Sequence, residues 1–396
     1  MKILVVIPAV GSVYGGPSKS VIELAKSLVK QGINVDLVTT TANGDTELNV
    51  PKLNWTEDEG LRIQYFPYFS WGNYIFSFIL TQWLYAHVKD YDIVHTNAVF
   101  SLLNLPVYWA CQQKKVPYLI TPHGMLEPWA LSYKANKKKL FYNFLDKPAI
   151  NKAGGIQVLA TPEKNSVKTL NLKPPLFLIP NGIFAKDFKL LSPPSLFLEK
   201  FPETKNRQLI LFLGRIDPKK GLDLLSSAFA KIYQQFPDSH LVIAGPDNIG
   251  YLPTVKNWFK NLGCLDAVTF TGMLTGEIKY SALSAASIYI APSYSEGFSL
   301  SILEGMASGL PCIFTTACNF PEAQEAQVAK VVEVNQEEIT EALLWCLSNE
   351  EDAKEMGQRA NQFILENYTW DKIAVKLIGI YRTIIENHSK QIRQMV

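Results

Sequence analysis

The stretch Pro292-Ser293-Tyr294-Ser295-Glu296-Gly297-Phe298-Ser299-Leu300-Ser301-Ile302-Leu303-Glu304-Gly305-Met306-Ala307-Ser308-Gly309-Leu310-Pro311 follows a short apolar run, Ser287–Ala291, and then takes up a helical pattern. Gly309 supplies a stop just past that helix, and Pro311 cannot continue it. The chain therefore reads strand, glycine-containing loop, helix. Backbone amides near Phe298, Ser299 and Leu300 point out of the helix start, and Gly297 opens the turn before it, an arrangement that suits a diphosphate. Glu296 precedes the turn and is placed to accept hydrogen bonds from sugar hydroxyls. Glu304 lies one turn beyond Leu300 and is placed to accept from a ribose. As ordinary residues the two would be a solvated loop carboxylate and a surface helix carboxylate.

Outward from this stretch, short apolar runs alternate with helical patterns, as in β-α units around parallel sheets. Strands are expected at Lys2–Ile7, Asn34–Thr39, Ile93–Thr96, Tyr118–Thr121, Gly155–Leu159 and Leu176–Ile179. A second set follows at Leu209–Leu213, His240–Ala244, Val268–Phe270, Ser287–Ala291 and Pro311–Thr315. A helix from about Ser18 to Lys30 ends before Gly32, and a final helix runs from about Asp371 to Asn387. The proline-rich segment from Ser192 to Gln208 marks the boundary between the halves. A length of 396 residues exceeds what one core supports, so two domains are expected.

Composition narrows the function classes. Hydrophobic residues make up 47% and charged residues 19%, which is globular, and the net charge of +2 exerts no global pull on nucleic acid. Five cysteines without a C-x-x-C pair indicate neither zinc nor a disulfide framework and fit a reducing cytoplasm. Met1 to Pro8 reads as a buried first strand, because its apolar run is short and lacks a cleavage site. From Ile63 to His87 there is no Lys, Arg, Asp or Glu, but Pro67, Gly72, Asn73 and Gln82 break the stretch; it reads as partly buried or interfacial.

Open parallel sheets bind ligands beyond the carboxyl ends of their strands, which selects the loops to read. Gly15-Gly16 stands between the first strand and the first helix. No strand is followed by G-x-G-x-x-G, so a nicotinamide is disfavoured and no cofactor is expected. Arg215 follows the first strand of the second half and Lys220 precedes its helix, and two cations there can stabilise charge on a departing anion. Lys219 reads as solvated. His123 sits at a strand end. Asp247, Met273 and Leu274 follow strands on the expected nucleotide side, while Tyr294 and Glu322 are weaker candidates. Asp90-Tyr91-Asp92 precedes a strand, at the amino edge, so it reads as a connection and no metal site is expected.

The two glutamates eight positions apart, with Gly15-Gly16-Pro17, His123-Gly124-Met125, Pro180-Asn181-Gly182, Gly214-Arg215-Ile216-Asp217-Pro218-Lys219-Lys220-Gly221, Thr271-Gly272-Met273-Leu274 and Tyr368-Thr369-Trp370, resemble the retaining GT-B glycosyltransferases of family 4. The resemblance implies an α/β fold of GT-B type, two Rossmann-like domains with a cleft between them. Residues 1–190 would form the acceptor-side domain, with a returning helix at about 371–396, and residues 205–370 the nucleotide-sugar domain. It implies a metal-independent hexosyltransferase that retains anomeric configuration, the donor phosphate taking the acceptor proton on the same face. UDP-glucose is the favoured donor, the acceptor a saccharide or lipid-linked saccharide, and polysaccharide assembly the setting.

In that family frame Arg215 and Lys220 hold the diphosphate, Glu296 orients the donor sugar, Glu304 takes the ribose and His123 bonds a sugar hydroxyl. Gly15 and Gly16 approach phosphate and acceptor, and backbone groups after Thr271-Gly272 meet the base. A hinge that closes on the donor is expected where the chain crosses between domains. A GT-B epimerase and a non-catalytic sugar-nucleotide sensor are the rival classes; the glutamate pair argues against the first and the complete constellation against the second. The basic-aromatic run from Trp129 to Phe144 reads as a solvated helix with an apolar inner face, or as contact with an anionic membrane or a pyrophosphate-linked lipid, which would place a cytoplasmic protein at the inner face of the membrane.

Overall fold

Lys2–Ala9 is apolar on both faces, with Ile3, Leu4 and Val6 fully buried, as a strand inside a parallel sheet covered on both sides must be. It forms the centre of an eight-stranded sheet in the computed structural model, which describes residues 1–72, 74–132 and 139–395. The strands are β1 (Lys2–Ala9), β2 (Asn34–Thr40), β3 (Trp55–Asp58), β4 (Leu61–Phe66), β5 (Ile93–Asn97), β6 (Tyr118–Thr121), β7 (Gly155–Val158) and β8 (Leu176–Leu178). Their order is β8-β7-β6-β5-β1-β2-β4-β3. All run parallel except the edge strand β3, which pairs antiparallel with β4. The winding direction reverses between β1 and β5, whose registers meet at Val5, opposite Leu37 on one side and His95 on the other.

The second sheet is built from β9 (Gln208–Leu213), β10 (Ser239–Ala244), β11 (Val268–Gly272), β12 (Ile288–Ala291), β13 (Cys312–Thr315) and β14 (Lys330–Val332). Its order, β11-β10-β9-β12-β13-β14, is the doubly wound order, all parallel, with the reversal between β9 and β12. Both sheets are thus Rossmann-like. Contacts divide the chain into Met1–Gly182 with Trp370–Val396, and Ile183–Thr369.

The proline-rich stretch lies inside the second unit. Its prolines flank a helix, Ser195–Lys200, whose Phe197 is fully buried and donates its N–H to Ser281 Oγ at 2.8 Å. The chain passes between units at Gly182–Ile183, where Ile183 N donates to Tyr368 O at 2.9 Å, next to the return crossing. The first helix begins at Gly16, and the last runs from Trp370 to Met395, longer than its apolar spacing suggested. Trp370 is buried, and its indole donates to Glu23 on the first helix at 2.8 Å.

The edge strands β3 and β14, and β4 beside β3, were absent from the expected set. Strands at or next to the edge stay partly wet, so Arg62 on β4 lies over the Trp55 ring of β3 at 4.5 Å, and such charged residues dilute the apolar signal. Asp92 at the amino edge accepts from Lys2 N at 2.7 Å, so the Asp90–Asp92 segment joins a 3-10 turn to β5. Of the basic-aromatic run, Tyr133, Lys134, Ala135, Asn136, Lys137 and Lys138 lie outside the described residues.

Candidate functional site

At the reversal of the second sheet, the loops after β9 and β12 interlock. Tyr294 N donates to Lys219 O at 2.7 Å, and a Cβ on Gly221 would stand 1.8 Å from Pro292 O, so only glycine permits the approach. The interlocking brings the Lys220 ammonium onto Glu296 Oε1, with both side chains 12% exposed. Ser293 Oγ also donates to Glu296 Oε1, at 3.0 Å. Burial pushes the Glu296 carboxyl upward, but the Lys220 and Lys219 charges and the hydrogen bonds from Lys220 and Ser293 outweigh it and hold the group below the usual carboxylate range. Glu296 is therefore an acceptor and not an acid at neutral pH.

Lys219 is not solvated, which corrects the sequence reading. It is partly buried, and burial brings its ammonium below the ordinary lysine value, with Lys220 and Arg215 adding to the depression and Glu296 opposing it. Three cations and one carboxylate thus share the site. The Glu296 loop is fixed from behind by Asn319, whose Nδ2 donates to Glu296 O at 2.7 Å, and by Thr315, whose hydroxyl donates to Ser293 O at 2.5 Å.

The helix expected after this loop is Leu300–Ala307, with Ser299 at its N-cap and no side-chain cap. Phe298 and Leu300 are buried, and Phe298 packs edge-on against Phe320 at 5.0 Å and stacks on Tyr368 at 5.9 Å. Those two side chains anchor the loop. Glu304 is not a surface residue: it is 6% exposed and pairs with Lys279 at 2.8 Å. The Asp247 carboxylate accepts from Tyr251 N at 2.8 Å and Leu252 N at 2.9 Å and so also caps the helix Leu252–Asn261. Met273 is exposed and Leu274 buried, so only the first presents its side chain to solvent. Tyr294 donates to Asp223 Oδ2 at 2.6 Å, and Glu322 lies in the short helix Pro321–Glu325.

At the reversal of the first sheet the groups are neutral. Gly15, with φ 82° and ψ −144°, takes a conformation open to glycine, and Gly16 starts the first helix. His123 Nε2 lies 2.9 Å from Asn97 Oδ1, and burial brings the imidazole down to about 4, so it is uncharged. The backbone here is strained: Ala98, Phe100 and His123 have φ of 72°, 57° and 55°. Asn104 Nδ2 holds Asn97 O and Ala98 O, each at 2.8 Å. Asp146 accepts from Phe100 N at 2.7 Å, and Glu163, fully buried, accepts from Gly124 N at 2.8 Å and Leu159 N at 2.6 Å.

Two family models match consecutive parts of the chain: Glycosyltransferase Family 4 over residues 14–185 and Glycosyl transferases group 1 over residues 196–363. The chain is a family 4 GT-B glycosyltransferase. The glycosyltransferase is 27% identical to alpha-monoglucosyldiacylglycerol synthase of Streptococcus pneumoniae, across 75% of this chain and 67% of that protein. It is 26% identical to mannosylfructose-phosphate synthase of Agrobacterium fabrum, across 76% and 71%. Its fold is shared with Anabaena HepE in complex with UDP and glucose (TM-score 0.78, 16% identity, covering 97% and 100%). Sucrose-phosphate synthase of Thermosynechococcus elongatus is comparable, with TM-score 0.77 and 21% identity, covering 98% and 100%.

Of the residues gathered at the two reversals, the sequence brought forward Arg215, Lys220 and Glu296 but missed Lys279, Asn319, Asn97 and Glu163. Each of these acts through a contact distant in sequence, for which no local pattern exists.

Proposed function

We propose that the enzyme is a retaining hexosyltransferase that uses UDP-glucose and a saccharide or lipid-linked saccharide acceptor in polysaccharide assembly. The observation that carries the reading is the Lys220–Glu296 pair beside Lys219, at the point where a doubly wound sheet receives its ligand. A departing nucleoside diphosphate gains negative charge. Cations already placed there, with the start of helix Leu300–Ala307, stabilise it without reorganisation. Arg215, Lys219 and Lys220 hold the diphosphate in this reading, and ionised Glu296 accepts from donor-sugar hydroxyls. Glu304 receives the ribose by sharing its carboxylate with Lys279. Neutral His123, whose Nε2–H donates to Asn97 Oδ1, accepts from a sugar hydroxyl at Nδ1 and is a positioning group.

The bound UDP and glucose of HepE favour a uridine donor, and the lipid product named for the pneumococcal relative favours an acceptor at a membrane. A cytoplasmic setting at the inner membrane face fits such an acceptor. With three cations at the diphosphate position, no metal is required for charge neutralisation, and the reaction proceeds in chelator.

Hydrolysis and transfer assays across UDP- and GDP-hexoses, in EDTA, test the reading, with the product anomer followed by NMR. UDP-glucose turnover with the donor's anomeric configuration kept is expected. Preference for a GDP-hexose, an inverted product, or a need for added magnesium would each overturn the corresponding part.

A further inference from the structure

Phe69, Phe78 and Phe144 are 68%, 62% and 73% exposed, and Leu140 and Trp109 are 63% and 50% exposed. Single exposed apolar side chains are ordinary, but these are joined. The hairpin Phe69–Trp71 with Tyr74–Phe76 leads into helix Phe78–His87, where Phe78 packs on Phe69 at 5.8 Å and on Phe76 at 4.7 Å. An apolar groove lined by Phe76, Thr81, Leu102, Leu105, Pro106 and Trp109 carries the surface onto helix Asn104–Lys114. Tyr85 stacks on Trp109 at 4.9 Å, and Lys114 Nζ lies 3.8 Å over the Tyr85 ring. On the other flank Phe141 stacks on Tyr74 at 6.2 Å, bringing in the segment that bears Leu140 and Phe144.

The segments that carry these aromatic groups are basic. No acid occurs between Ile63 and His87 or in Asn104–Lys114, and the single acid from 139 to 152 is Asp146, which is fully buried. Lys114, Lys115, Lys139, Lys147 and Lys152 accompany the aromatic groups. Aromatic side chains that enter the headgroup layer, with lysines beside them, are the chemistry of a surface-bound protein on an anionic bilayer. Among the described residues no helix is long and apolar enough to cross a membrane, so the contact is peripheral. The face also borders the acceptor-side loop: Phe141 lies 6.2 Å from Phe100, three residues after Asn97.

We infer that this face of the N-terminal unit docks on an anionic lipid bilayer, with Phe69, Phe78, Trp109 and Phe144 entering the interface. The inference deepens the lipid-linked acceptor in the proposed function and rests on that part of it. Co-sedimentation of the full chain with vesicles of phosphatidylglycerol and phosphatidylcholine in equal parts tests it, against vesicles of phosphatidylcholine alone. Binding to the anionic vesicles that is released by high salt is expected, with Phe78→Ser/Phe144→Ser reducing it roughly tenfold. The variant keeps its melting temperature and its UDP affinity, since neither residue is in the binding machinery. Equal binding by wild type and variant, or no anionic preference, overturns the inference. So does a wild-type dimer that the variant splits, because the occupant is then a second copy. A chain that docks but turns over no donor leaves the surface standing and removes the proposed chemistry, so the two failures are distinguishable.

Discussion

At the reversal of the second sheet, Arg215, Lys219 and Lys220 stand with an ionised Glu296, and burial concentrates their field. At the corresponding place in the first sheet, His123 is neutral, its partner Asn97 is an amide, and the nearest carboxylates, Glu163 and Asp146, face backbone N–H groups. In the proposed function one topology thus serves two chemistries. A diphosphate needs fixed positive charge, whereas a hydroxyl needs neutral donors and acceptors at set positions. The first edge holds its positions through buried side-chain to backbone hydrogen bonds that impose positive φ on non-glycine residues, and the second through an ion pair.

The comparison breaks most visibly if the charges prove dispensable. Lys220→Ala is expected to lower kcat by about 10²–10³, the loss seen when one stabiliser of a developing anion is removed, about 3–4 kcal/mol. Steady-state kinetics on a variant shown to be folded by circular dichroism check this; the melting temperature is expected to fall as well, because Glu296 loses the partner of a pair only 12% exposed. Wild-type turnover would remove the contrast between the two edges.

The buried carboxylate of the first edge sharpens the comparison through pH. Burial raises Asp146 to about 7, against an opposing hydrogen bond from Phe100 N. A carboxyl raised on folding is favoured in its protonated form. Its contribution is fully present below the unfolded value near 4 and is lost as pH rises toward 7. Asp146→Asn should therefore stabilise the protein by roughly 2–3 kcal/mol at pH 8 and by little near pH 4. Thermal unfolding at the two pH values checks it, and an effect independent of pH would count against a protonated Asp146.

A smaller effect separates the charged site from a carboxylate beside it in sequence order. Asp247→Ala should cost about 1 kcal/mol of stability through the lost helix cap and leave kcat within about twofold. A large fall in kcat with unchanged stability would restore Asp247 to the donor site.

Much of this was legible because the relevant signals are local. Apolar runs placed eleven of the fourteen strands in the two large sheets to within about two residues, and Gly309 with Pro311 marked a helix end. Arg215, Lys220 and Glu296 were legible because strand ends and turns identify the ligand edge. Lys219 was misjudged because a sequence does not reveal that the loop after β12 folds over it, as the bond from Tyr294 N shows. The helix-capping bonds of Asp247 were not legible, because a capping carboxylate and a ligand carboxylate occupy the same kind of position after a strand. Glu163 and Asn319 could not be found, since each braces a turn far from it along the chain.

The claim that the second unit's charged edge receives the nucleoside diphosphate is tested most directly by calorimetric titration of the full chain with UDP. Wild type and Asn97→Ala should bind UDP with the same affinity, while Lys220→Ala should bind at least roughly tenfold more weakly, the loss of one charge-assisted contact. Unchanged affinity in Lys220→Ala, or an equal loss in Asn97→Ala, would contradict the account.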